Sequence, residues 1–197
     1  MSLGVLLVED EAVQALALEQ ALRDLGHRVL GLAGDGRQAC ELCRQLRPDL
    51  VLMDIGLPGM DGIEAARVMS LERPLPVVLI TAHADRRFLE RARRANVHSY
   101  LLKPVETAVL GPAMDLAHHN FTRESELRRE VTDLRESLHA RKVLARAQGL
   151  LMDQHHIGEQ EALRRLREMA QVRGLELVQA AQEVLGAQQP LRPPRRG

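Results

Sequence analysis

Aromatic side chains are almost missing from this 197-residue chain, which has no tryptophan, one tyrosine and two phenylalanines. Aliphatic side chains must therefore fill whatever core it builds. No apolar stretch is long enough to cross a bilayer, and Glu9 and Asp10 interrupt the only early apolar run. Neither a membrane span nor a signal peptide is expected, and the cytoplasm is the expected compartment. Charge of one sign is lacking too: 27 basic and 27 acidic residues balance. The first 120 residues are slightly acidic and the remainder slightly basic, which permits a nucleic-acid partner without requiring one.

Cysteine is confined to Cys40 and Cys43, a C-x-x-C in a segment that reads as helix. A metal site wants more Cys or His nearby, and a thioredoxin motif sits at a strand-to-helix turn. The expectation is two small helix residues. Lysine is scarcer than it looks. Only Lys103 and Lys142 are lysine, and every other basic residue is arginine. An ammonium point charge and a planar guanidinium fork are not interchangeable. The Lys retained before Pro104, at the end of an apolar run, points to a place that needs a compact charge.

What is present is alternation. Strand-like apolar runs fall at 5–8, 28–31, 50–53, 77–80 and 99–102, with helical patterns at 12–25, 36–46, 61–72, 86–95 and 106–119 between and after them. The runs at 5, 50 and 77 are apolar on both faces, as parallel strands between helix layers must be. Five β/α repeats with short loops predict an α/β fold, a doubly wound parallel sheet whose ligands sit beyond the carboxyl ends of the strands. After residue 105 no strand signal returns, and helix is expected to about 186.

Four of the strand ends carry chemistry. Glu9 and Asp10 follow Val8, Asp54 follows Met53, Thr81 follows Ile80, and Lys103 follows Leu102. Taken singly, each has an ordinary reading: a helix-dipole carboxylate, a capping Thr, a Lys-Pro turn. Together they place carboxylates, a hydroxyl and an ammonium around one crevice. Three carboxylates repel unless a cation sits among them, and Mg²⁺, which prefers oxygen ligands, fits. One carboxylate can then accept a phosphoryl group, with Lys103 and the metal neutralising its oxygens and Thr81 offering a hydroxyl.

The stretches VLLVEDE (5–11), LVLMDIGLPGMDG (50–62), VVLITAHAD (77–85) and SYLLKPV (99–105) resemble the receiver domain of two-component response regulators. The resemblance covers residues 1–119 and implies a flavodoxin-like (βα)5 fold. It implies that Asp54 takes phosphate from a sensor histidine kinase. Glu9, Asp10 and the Gly56 carbonyl join Asp54 as Mg²⁺ ligands, Lys103 and Thr81 bind the phosphoryl group, and Thr81 and Tyr100 form the switch pair. Gly56 and His83 stand where the family varies and tunes phosphate lifetime. Beyond phosphotransfer onto itself and slow dephosphorylation, no enzyme activity is implied.

The remaining chain divides into a helical linker at 120–138, a three-helix bundle at 139–186 and a Pro/Arg tail at 187–197 expected to be disordered. Leu127, Val131, Leu134 and Leu138 follow 4-3-4 spacing over about two heptads, a dimerising seam or an ordinary amphipathic linker; the spacing leaves both open. In the first bundle helix Ala140, Val143, Leu144, Ala147, Leu150 and Leu151 share an apolar face, opposite Lys142, Ala145 and Gly149. In the second, Arg164, Arg167 and Gln171 lie opposite Ala162, Leu163, Leu166 and Ala170. The pattern alone favours a solvated face for the Arg-bearing strips.

The stretches ARKVLARAQGLLM (140–152), EALRRLREMA (161–170) and LVQAAQEVL (177–185) resemble the ANTAR domain, an RNA-binding antitermination module. The resemblance implies a phosphorylation-dependent homodimer that binds paired hairpins in leader transcripts. Without aromatics in the bundle, Arg has to supply stacking. Arg141, Lys142, Arg146, Gln148, Arg164 and Arg167 are the expected contacts as a group. Gln148 departs from the family, which usually has a basic residue there. A DNA-binding output is the alternative, against which the last helix, with no Arg or Lys, counts. A purely protein-binding output is the other.

Overall fold

A computed structural model of the protein describes residues 2–82, 90–92, 95 and 97–186. The chain forms two compact units, Met1–Glu126 and Leu127–Gly197. In the first unit β1 (Gly4–Val8), α1 (Ala12–Asp24), β2 (Arg28–Ala33), α2 (Gly36–Leu46), β3 (Leu50–Asp54), α3 (Gly62–Glu72), β4 (Val77–Thr81) and β5 (Ser99–Leu102) precede α4 (Thr107–His155). The strands make one five-stranded sheet in the order β2-β1-β3-β4-β5, every pair parallel.

Burial explains that order. Every residue of β1, β3 and β4 is buried, whereas β2 and β5 are partly exposed and form the edges. Alternate residues of the central strands feed two cores. Leu6, Val8, Val51, Met53, Val77 and Leu79 pack with residues of α2 and α3 such as Ala39, Cys43, Ala66 and Met69. Val5, Leu7, Leu50, Leu52, Val78 and Ile80 pack on the other face with Leu18, Leu22, Leu110 and Met114. Each such aliphatic side chain contributes about 1.5–3 kcal/mol of transfer free energy when fully buried.

Cys40 and Cys43 are free thiols inside the first of these cores. Burial pushes both thiols above their ordinary range, so neither offers a ready thiolate. The C-x-x-C is packing, as the helical pattern implies.

The helix starts follow local chemistry. Asp35 caps α2 by accepting from the Arg37 and Gln38 N–H groups at 2.8 and 2.9 Å. Asp61 caps α3 by accepting from Glu64 N–H at 2.9 Å, which is why that helix begins at 62 rather than 61. The expected helix at 86–95 falls largely outside the described residues, of which 90–92 are helical; His83 and the 187–197 tail also lie outside them.

In the second unit the later part of α4 is joined by α5 (Glu159–Arg173) and α6 (Leu177–Gly186). Their core is Val143, Ala147, Leu151, Ala162, Leu166 and Ala181, flanked by Leu144, Met152, Ile157 and Leu185. Gly174 ends α5 in the left-handed region at φ 64°, its N–H bonding the Ala170 and Gln171 carbonyls, a conformation that costs most residues but not glycine. Leu127, Val131, Leu134 and Leu138 are all exposed, at 53%, 45%, 57% and 55%. Among the described residues no helix is long and apolar enough to cross a membrane.

Candidate functional site

The site lies at the carboxyl ends of the three buried strands β1, β3 and β4 and of the edge strand β5. Glu9 follows β1 and is tied to the sheet by its own N–H, which donates to the Ala33 carbonyl at 2.9 Å. Asp54 is the last residue of β3 and Thr81 the last of β4, and Lys103 follows β5, its N–H donating to the Thr81 carbonyl at 2.8 Å. Parallel register alone therefore brings residues from four distant segments to one edge of the sheet.

The side chains converge. Lys103 Nζ donates to Asp54 Oδ2 at 2.7 Å and to Glu9 Oε2 at 3.1 Å. The other Asp54 oxygen, Oδ1, accepts from the Ile55 N–H at 2.7 Å and the Gly56 N–H at 3.3 Å. Glu9 Oε1 accepts from the Glu11 N–H at 3.3 Å. Glu9, Asp54 and Thr81 are buried, and Asp10 is exposed at the rim. Tyr100 is 41% exposed on β5, opposite Leu79.

The electrostatics are those of an under-neutralised site. Burial, and then the Asp54 charge, push the Glu9 carboxyl above its ordinary range despite the Lys103 bond pulling it down. Burial alone would lower the Lys103 ammonium, but its bonds to Asp54 and Glu9 outweigh that, and its pKa is raised. One ammonium faces three carboxylates: Glu9, Asp10 and Asp54 each bring an oxygen within 4.8 Å of the others. A hard, all-oxygen donor set with residual negative charge suits Mg²⁺.

Glycine shapes the rest of the rim. A Cβ at Gly56 would lie 3.6 Å from Asp54 Oδ2, so any side chain at 56 would touch the carboxylate. A Cβ at Gly62 would stand 2.2 Å from the Asp54 carbonyl oxygen, a distance no side chain tolerates. Gly62 also donates its N–H to the Ile55 carbonyl at 3.1 Å. Sequence reasoning did not single out Gly62 or the cap Asp61, although both stand in the Asp61-Gly62 step that closes the 50–62 motif. Asp61 also pairs with Arg91 across the unit.

In the second unit Arg141, Lys142, Arg146, Arg164 and Arg167 are all exposed, and Gln148 is partly buried. Arg164 does not stand open to a ligand. Its guanidinium bonds Glu161 at 2.7–2.8 Å and Glu168 at 3.2 Å, and Arg165 also reaches Glu161 at 3.4 Å. These are the i,i+3 and i,i+4 pairs of a solvated helix face, weak in water and screened by salt.

Residues 5–115 match the family model described as response regulator receiver domain, and residues 132–185 match that described as ANTAR domain. Across 181 residues the chain is 40% identical to the transcriptional regulatory protein PdtaR of Mycobacterium tuberculosis (strain ATCC 25618 / H37Rv), covering 92% of this chain and 88% of that one. Among solved structures it is similar to the signal receiver domain of a modulated diguanylate cyclase from Desulfovibrio desulfuricans G20, at 37% identity and TM-score 0.59, over 63% of this chain and 99% of that one. It is also similar to the receiver domain of sensor histidine kinase PA1611 from Pseudomonas aeruginosa PAO1 with a magnesium ion coordinated in its active-site cleft. There the identity is 34% and the TM-score 0.55, over 60% of this chain and 99% of that one.

Proposed function

The chain belongs to the response regulators, a receiver domain with an ANTAR domain behind it, an RNA-binding antitermination regulator rather than an enzyme, and we propose that phosphorylation of Asp54 controls that output. Asp54 accepts the phosphoryl group from a histidine-kinase phosphohistidine. The P–N bond breaks as an Asp54 oxygen bonds phosphorus, and the imidazole leaves. The observation that carries this reading is the bridge from Lys103 Nζ to Asp54 Oδ2 at 2.7 Å and to Glu9 at 3.1 Å.

The bridge prepares the carboxylate for its task. Backbone N–H groups of Ile55 and Gly56 hold one oxygen, and among the described residues Lys103 alone holds the other. Once Asp54 is an acyl phosphate, its charge sits on the phosphoryl oxygens, and the Lys103 ammonium follows it there. Thr81, buried at the end of β4, donates its hydroxyl to the same group, and Tyr100 turns in behind it. Glu9, Asp10, Asp54 and the Gly56 carbonyl would hold Mg²⁺, which would supply positive charge for phosphoryl transfer.

Phosphorylation joins two chains. The exposed apolar row Leu127, Val131, Leu134 and Leu138 supports a short helical seam between copies. The paired bundles bind hairpins in nascent leader transcripts through Arg141, Lys142, Arg146, Gln148, Arg164 and Arg167, so that a terminator does not form. Arg164 takes part by giving up its Glu161 and Glu168 contacts.

Sedimentation and RNA binding, with and without beryllofluoride, test this. Wild type is expected to shift to dimer and bind hairpins more tightly with the mimic, and Asp54→Ala to do neither. An unchanged profile for wild type overturns the switch.

A further inference from the structure

A groove of about 660 Å³ opens on the second unit, lined by Arg146, Gly149, Leu150 and Asp153 of α4 and by Gln182, Leu185 and Gly186 of α6. We infer that this groove is a nucleobase-reading pocket in which Asp153 recognises the Watson–Crick edge of a guanine splayed out of an RNA loop. The inference rests on the RNA-binding reading above and names the group that would give it base specificity.

The groove has the shape of such a site. Arg146, Gly149, Leu150 and Asp153 recur at helical spacing on one side of α4. Arg146 and Asp153 are about 10 Å apart along its axis, close to the reach from a nucleotide's phosphate to its base edge. Between them Gly149 contributes no side chain, and a Cβ built there meets nothing within 4 Å. A flat ring can therefore approach the helix backbone, between the apolar walls of Leu150 and Leu185.

The chemistry of the lining is more specific than its shape. Among the described residues, Arg146, Asp153 and Gln182 make no side-chain hydrogen bond or ion pair. Asp153 stands in the last turn of α4, at the negative end of the helix dipole, where a carboxylate is unfavourable. It also repels any phosphate backbone that Arg146 and the arginines beside it attract. Asp153 is exposed, and a carboxylate in this place favours RNA binding when it accepts hydrogen bonds from base N–H groups. It is acceptor-only, with two oxygens side by side. Among the four bases, guanine presents two adjacent N–H donors, N1–H and the N2 amino group, to match them. Gln182, which both donates and accepts, is placed to bond a further edge atom. Arg146 supplies a phosphate contact or a plane for stacking.

The test is a selection of RNA hairpins, with one fixed stem and a randomised loop, by the full-length protein in the presence of beryllofluoride. Wild type and Asp153→Asn are compared, and helical content is checked by circular dichroism. Wild type is expected to recover loops sharing one guanine position, and Asp153→Asn to lose the preference there. In a selected hairpin, inosine at that position, which lacks the N2 amino group, should weaken wild type about tenfold and leave Asp153→Asn almost unaffected. Gln182→Ala should weaken binding by a smaller factor at the same position. If both proteins select the same loops with the same affinity, the groove is a solvated gap or a seat for something else, and the inference falls while the RNA reading stands. If wild type recovers no hairpin at all, the RNA reading and this inference fall together.

Discussion

Gly62 presses against Asp54: a Cβ on the first residue of α3 would stand 2.2 Å from the carbonyl oxygen of the last residue of β3. The turn that carries the acidic residue is held shut by the absence of one methyl group. Gly62→Ala should force the two backbones apart and cost about 1–3 kcal/mol. Urea denaturation should show a lower midpoint with an unchanged slope; an unchanged midpoint would mean the loop yields freely.

Mg²⁺ should stabilise the first unit through its carboxylates. Because ligand binding to the folded state adds RT ln(1 + [L]/Kd), saturating Mg²⁺ should raise wild-type stability by about 1 kcal/mol or more. Asp10 is exposed, so Asp10→Asn should fold normally yet lose this rise. Thermal melts with Mg²⁺ and with a chelator check it, and equal rises in the two proteins would remove Asp10 from the ligand set.

The seam residues should decide self-association. Leu134 is 57% exposed and lies within the apolar row, so Leu134→Glu should leave each chain folded while preventing the beryllofluoride-dependent dimer proposed above. Sedimentation velocity at matched concentrations reads this directly. A dimer that survives the charge must be built on another face.

Stability should fall in mild acid because of His27. It is buried, its Nδ1 accepts the Leu3 N–H at 3.2 Å, and burial holds its imidazole below the ordinary range, against the upward pull of Asp115 on α4. The unfolded chain therefore takes up the proton first. The contribution is complete above the ordinary imidazole pKa of about 6.5, begins to be lost as pH falls below it, and is gone once pH passes the lower value of the folded state. His27→Gln should be less stable by about 1 kcal/mol at pH 8, and the gap in urea midpoint should close towards pH 5. A constant gap would show that His27 does not titrate in this range.

Gly149→Ala should be stabilising, since a mid-helix glycine costs about 0.5–1 kcal/mol relative to alanine and nothing lies within 4 Å of the added methyl. The same methyl would narrow the floor of the groove, so hairpin affinity should drop as the melting temperature rises. Opposite signs in the two measurements are the outcome to look for.

The strand ends were legible in the chain because Glu9, Asp54, Thr81 and Lys103 each follow a short apolar run, three of which are the buried central strands and the last the edge strand β5. Val5, Leu50 and Val77 begin the runs apolar on both faces, and those are the central strands. Gly62 was not singled out, because its necessity comes from two backbones meeting, which no local pattern records. Arg164 shows a second limit. The sequence puts Arg164 on a polar strip, but only the fold shows its guanidinium shared between Glu161 and Glu168. The groove shows a third. Gly149 stood out as a small residue on α4, whereas Gln182 and Leu185 join it from α6, and periodicity within one helix carries no information about the next.

The scarcity of lysine turns the molecule into its own reporter. Its two side-chain amines fall one in each unit: Lys103 is held between Asp54 and Glu9, and Lys142 is open to water. An amine-selective acylating reagent thus writes two separable mass tags. The slow tag, on Lys103, times how often the carboxylates let go of their ammonium. The fast one, on Lys142, is masked only when something covers that helix face. A single peptide map, read over minutes of exposure, gives the state of the input and of the output from the same sample.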